Sequence, residues 1–217
     1  MSAMRAAVVV GLLVLSAPPT SADAVRGTAR TGDLEHALAA NDVAAIRAMG
    51  PAVLPRLVRL YESSGEGRRA TIAWAFYSLG WKSEEAKDAL MKDVHTQNQA
   101  LRLQVQWALG RVSDDVAVVD VLLANMQHDA NILFRDKAAC ALANDQIHLR
   151  PVQKLHLYEG LIRALDDPKP DVRRIAALVL QIQTRQDKGY RFSDPPEVRA
   201  RALEAWRRWL EEYRSQL

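Results

Sequence analysis

Four segments of the chain carry nearly the same short pattern, and this self-similarity constrains the fold more than any other feature. The clearest two read Phe134-Arg135-x-x-Ala138-Ala139-x-Ala141-Leu142 and Val172-Arg173-x-x-Ala176-Ala177-x-Val179-Leu180. A third reads Leu101-Arg102-x-x-Val105-x-x-Ala108-Leu109-Gly110, and a looser fourth contains Arg68-Arg69-x-x-Ile72-Ala73-x-Ala75-Phe76. Their arginines lie at positions 69, 102, 135 and 173, so the intervals are 33, 33 and 38. A period of this size means a repeat array, in which each unit buries its apolar face against its neighbours. Arrays of this kind are mostly binding surfaces.

Apolar residues between the patterns also recur at helical spacing, so each pattern is the second helix of a pair. First helices are expected over about 51–62, 83–94, 115–127 and 151–166, and second helices over about 66–79, 97–110, 131–143 and 170–184. The longer last interval falls on the connection 144–150. Two short helices, started by Asp33 and Asp42, precede the array, with Gly50 as a left-handed stop and Pro51 opening the next helix. After a loop at 186–193, Asp194 is expected to cap a final helix that has proline in its first turn and Glu197 behind it. That helix has one apolar face, including Trp206, Trp209 and Leu210, and one charged face, as a terminal cap requires. No stretch alternates with period two. The expected fold is all-α: an α-solenoid of about four helix pairs over 51–185, with linker and short helices over 25–50 and a loop and capping helix over 186–217.

The amino terminus reads differently. One positive charge within the first five residues is followed by an apolar run at 6–15, then by prolines and small residues. The uncharged stretch ends before Asp23, short of the roughly 20 residues that span a bilayer. These are the three parts of a secretory signal peptide, residues 1–24, with cleavage after Ala24 or Ala22. The expected location is periplasmic or secreted, with no membrane span in the mature chain. The single cysteine, Cys140, permits no internal disulfide, so stability must come from packing. A composition rich in Ala, Arg and Val and poor in Lys points to a bacterial source. The net charge of +3 is mild, and its arginines are scattered pairs among acids, so no nucleic-acid partner is expected.

The array resembles HEAT repeats, in the short bacterial form similar to those of phycobilisome lyases. The best-matching stretch runs from Ala164 to Leu180, and the resemblance covers roughly residues 51–185. Neither the Thr-Pro-Leu-His turn of ankyrin repeats nor the tetratricopeptide spacing is present. In the HEAT family an aspartate in the turn of each unit and an arginine six residues later form a ladder between neighbouring units. Asp129 with Arg135 and Asp167 with Arg173 keep that spacing, whereas the first two units offer only Ser63 with Arg69 and Thr96 with Arg102. The alternative is that all four turn residues are simple helix caps.

No motif for catalysis stands out. The five histidines show no metal-type pairing, there is no Gly-rich phosphate loop or nucleophile elbow, and neither cofactor nor metal is called for. The informative residues lie on the outer side of the second helices. With the residue that opens each pattern set at zero and about 100° per residue, positions four, seven and eight fall on one buried face and position six points away from it. Position six holds Trp74, Trp107, Cys140 and Leu178, and position two holds Ala70, Leu103, Asp136 and Arg174. Tyr77 lies one turn beyond Trp74. In HEAT-like arrays the second helices line the concave surface, so the resemblance implies one row of Trp74, Tyr77, Leu103, Trp107, Asp136 and Arg174 across it. Such a row would bind a protein or peptide partner in the cell envelope. Two alternatives remain open: the large residues fold back into neighbouring interfaces, or the groove holds a small molecule or prosthetic group in a lyase-like or carrier role.

Overall fold

The computed structural model describes residues 33–217. The signal-peptide segment 1–24 and the linker as far as residue 32 lie outside the described residues. Residues 37–217 make one compact unit, and residues 33–36, which begin a short helix α1 (33–39), fall in the preceding one. The elements that follow are α2 (Val43–Ala48), a 3-10 turn (Pro51–Val53), α3 (Leu54–Ser63) and α4 (Glu66–Leu79). Next come α5 (Glu84–Met91), α6 (Gln99–Val112), α7 (Val116–His128) and α8 (Ile132–Asn144). The chain continues through α9 (Pro151–Ala164) and α10 (Pro170–Thr184) to α11 (Pro196–Ser215). Among the described residues every regular element is helical and there is no strand.

The periodicity of the patterns decides which face of each second helix turns inward. Ile72, Ala75 and Phe76 of α4 are buried, as are Val105, Ala108 and Leu109 of α6. Ala138, Ala141 and Leu142 of α8 and Ala176, Val179 and Leu180 of α10 occupy the same positions and are equally buried. Small residues beside large ones on that face let neighbouring helices approach while filling the space between them. Each pair closes on itself, α3 on α4, α5 on α6, α7 on α8 and α9 on α10. The second helices touch in sequence, α4 to α6 to α8 to α10, while α3 meets α5, α7 meets α9, and α11 lies on α9. Nearest-neighbour packing of this kind makes the fold an all-α, solenoid-like array.

Helix starts follow side-chain chemistry. Asp42, Ser83, Asn98, Asp115 and Asn131 each accept a hydrogen bond from a backbone N–H in the first turn of the helix they precede. Two expectations change. Gly50 does take a positive φ, 73°, that favours glycine, but its ψ of 175° is not the left-handed helical value, and Pro51 opens a 3-10 turn instead of α3. Asp194 does not cap α11, because Pro195 holds that position and the helix begins at Pro196. The residue before a proline is kept out of helical geometry, and Pro195, which precedes Pro196, has φ −54° and ψ 151°. The Asp194 carbonyl instead accepts a bond from the Arg199 guanidinium at 2.6 Å.

The longer connection before α9 is a clamp. His148 Nε2 lies 3.0 Å from the Gly80 carbonyl and 2.9 Å from the Arg111 carbonyl. Both partners are acceptors, so this nitrogen carries the proton. Asp145 accepts from Arg111 Nε at 2.9 Å. Residues 145–148 therefore bind the carboxyl ends of α4 and α6 together. Gly110 makes the approach possible: a Cβ there would come within 2.7 Å of Gln146 Nε2 and 2.9 Å of the Asp145 carbonyl.

Candidate functional site

On the side of α4 and α6 opposite the core, three aromatic rings form a continuous strip. Trp74 and Tyr77 stack with centroids 5.1 Å apart, and Tyr77 meets Trp107 of the next unit at 6.2 Å. All three rings are half-buried, as is Leu103 one turn before Trp107. The aromatics pack on one another along the surface while keeping part of each ring open to solvent. Beside them the Arg111 guanidinium lies 4.4 Å from the Tyr77 ring centre, within cation–π range. Arg111 is itself fixed by Asp145, whose burial pushes its carboxyl above the usual carboxylate range while Arg111 pulls it down. The clamp thus sets the orientation of the strip. Arg111, Asp145 and His148 carry no repeat signature, so the periodic reading of the sequence passes over them.

Along the same face the character changes. Asp136 of α8 is exposed and paired with Lys137 at 3.2 Å. Cys140 is half-buried, and burial pushes its thiol up, away from thiolate reactivity. Arg174 of α10 is exposed, and Leu178 one turn on is 48% exposed. The six residues expected in one row therefore lie on the outer side of four successive second helices. Ring contacts join Trp74, Tyr77 and Trp107, whereas Asp136 and Arg174 stand as separate polar groups farther along.

The arginines of the repeat do form rungs, with partners other than those expected. Arg69 donates to both carboxylate oxygens of Asp93 at 3.0 and 2.9 Å, and Asp93 also accepts from the Tyr61 hydroxyl at 2.6 Å. Arg102 pairs with Asp129 while lying 4.2 Å from the Phe134 ring centre. Arg135 pairs with Asp171 at 2.6 Å and donates to the backbone carbonyl of Asp129 at 2.8 Å. In each case the arginine of one unit reaches an acid of the next, in the turn for Asp93 and Asp129 and in the first turn of α10 for Asp171. The side chains of Asp129 and Asp167 are not the partners of Arg135 and Arg173. They accept from the backbone N–H groups of Asn131 and Lys169, while their carbonyls bind the arginines. Ser63 and Thr96 do not serve the arginines either, which take Asp93 and Asp129 instead. A signal existed in the forward offsets, 24, 27 and 36 residues from arginine to acid, but unequal turns hide it.

At the last unit there is no next turn. Arg173 donates instead to the Phe192 carbonyl, from Nε at 3.3 Å and Nη2 at 3.2 Å, and to the carbonyls of Asp167 and Pro168. The Tyr190 hydroxyl donates to the Leu165 carbonyl. These bonds hold the loop before α11 against α10, beside an open cavity of about 320 Å3. Its lining includes Arg174 and Leu178 from the outer face of α10, Asp187, Tyr190 and Arg191 from the loop, and Trp206 of α11. The loop has no periodicity, so the sequence gives no hint of this cavity. A shallower one of about 380 Å3, lined by His95, Arg102, Asn125 and His128 among others, lies at the turns of the second and third units.

The second-helix face presents half-buried indoles, a phenol and Leu103, exposed Leu178, the Asp136–Lys137 pair and the exposed Arg174, so its two ends suit apolar and anionic groups. Among the described residues no group of three or more His, Cys, Asp or Glu side chains could hold a metal ion. No helix among them is long and apolar enough to cross a membrane. No family model matches the chain, and no curated protein matches it either.

Proposed function

We propose that this chain is a HEAT-like repeat scaffold of the cell envelope that binds a segment of a partner protein along its second-helix face. The observation that carries the reading is the half-open strip of Trp74, Tyr77 and Trp107, which joins equivalent positions of adjacent units. Rigid aromatic rings beside arginine are the usual composition of interface hot spots, because they lose little side-chain entropy on binding. The charged, apolar, small-residue order of the first 24 residues supports placing the protein in the envelope.

A photo-crosslinking amino acid at position 107, in cells expressing the full chain, tests this reading. One protein, captured through one contiguous segment, is the expected product. The same probe at Asp88, exposed on the first-helix side, should not capture it. Equal capture from both positions, or none from 107, would overturn the proposal. The cavity beside Arg174 favours a second reading, a groove for a small molecule or prosthetic group. Its volume of about 320 Å3 is at the lower end of the roughly 300–1,000 Å3 typical of ligand pockets. Saturable quenching of tryptophan fluorescence by a small chromophore, with no protein captured, would decide for that reading.

A further inference from the structure

The second-helix face is asymmetric in charge along its length. At the α4–α6 end it presents aromatic rings and Leu103, with Arg111 already engaged by Asp145. In the middle, Asp136 and Lys137 neutralise one another. At the α10 end Arg174 and Arg191, both exposed, line the terminal cavity, and neither has an ion pair among the described residues. The one acid in the lining, Asp187, accepts a hydrogen bond from the Gly189 backbone N–H at 2.9 Å. Two guanidinium ions therefore face a single carboxylate that is partly satisfied by its own turn. The walls are fixed, because Arg173 and Tyr190 hold the loop in place through backbone carbonyls.

We propose that this terminal cavity is a carboxylate subsite, and that the protein segment docking on the face carries an acidic residue that enters it. This inference rests on the docking reading above and supplies the chemistry and polarity of the segment. Guanidinium ions bind carboxylates through paired, charge-assisted hydrogen bonds, while Leu178 and Ala177 supply apolar contact for the stem of a glutamate. The distance sets the register. Three steps between neighbouring second helices, at about 8–10 Å each, separate the unit of Trp74 from that of Arg174. An extended chain rising about 3.3 Å per residue covers that span in roughly eight or nine residues. The segment thus has an apolar or aromatic anchor at one end and an aspartate or glutamate about eight residues away.

Selection of phage-displayed random twelve-residue peptides on the immobilised full chain tests this. Enriched sequences should combine an apolar anchor with an acid at that separation. On the Arg174→Glu, Arg191→Glu protein the anchor should persist while the acid is replaced by lysine or arginine. Fluorescence anisotropy should show the original peptide binding at least tenfold more weakly to that variant. A measurement on the unaltered protein guards against a folding defect in the variant. Raising salt to about 0.5 M should weaken the acidic peptide several-fold and leave its glutamine counterpart nearly unchanged. Peptides with an anchor but no acidic preference, or binding insensitive to salt, would overturn the subsite and leave the docking reading standing. The absence of any enriched peptide would count against both.

Discussion

Arginine performs one task at four heights of this array, and its acceptor differs at each. Asp93 is only 7% exposed, so Arg69→Ala leaves a buried carboxylate with little beyond the Tyr61 hydroxyl. The expected loss is roughly 2–3 kcal/mol, read as a lower urea midpoint at unchanged slope. Asp171 offers a test by pH, since Arg135 holds its carboxyl below the usual carboxylate range. A carboxylate that ionises more readily in the folded chain stabilises it above the unfolded value near pH 4. That contribution fades as pH falls through the lower, folded value. The gap in urea midpoint between the wild type and Asp171→Asn should therefore be constant from about pH 7 to 5 and close below about pH 4. An unchanged gap in acid would show that the pair contributes nothing electrostatic. The arginines themselves are legible from the period alone. Their partners are not, because the side chain crosses to another unit and each turn places its acid at a different offset.

Helix faces were equally legible, since positions four, seven and eight of every pattern fall on one side and all are buried. Trp74 and Trp107 could be placed on the outer side for the same reason. What periodicity could not supply were the irregular pieces, the clamp at residues 145–148 and the loop before α11. Neither has a repeat, and both bind through backbone carbonyls that any sequence provides. The paired prolines before α11 held a readable rule that outweighed the capping preference of Asp194. The clamp carries its own prediction. Gly110→Ala must push back the Asp145 carbonyl, which is backbone and not the end of a flexible side chain. A cost of roughly 1–3 kcal/mol is expected, with loss of protection from hydrogen exchange centred on residues 145–148. Tyr77 should become more mobile as Arg111 loses Asp145. Unaltered exchange there would mean that the loop is held by something other than this approach.

Across the whole array, stability is a sum of neighbour interfaces, so where a defect falls matters as much as what is removed. Leu109 is fully buried in α6, which touches both α4 and α8, whereas Leu210 lies in α11 at the end of the stack. Leu109→Ala should cost roughly 2–5 kcal/mol and lower protection in the units on both sides. Leu210→Ala should loosen α11 and α9 first and leave α4 and α6 protected. Hydrogen exchange followed by mass spectrometry separates these outcomes, and identical patterns for the two variants would mean cooperative unfolding as a single block. The terminal rung adds a different consequence. A stack of like layers resembles a growing crystal, whose last layer is a template for the next. Arg173 stands where earlier units reach forward into another turn, yet a carbonyl of its own chain has already taken that place. The series is ended from within, its last rung closed by the loop that follows it.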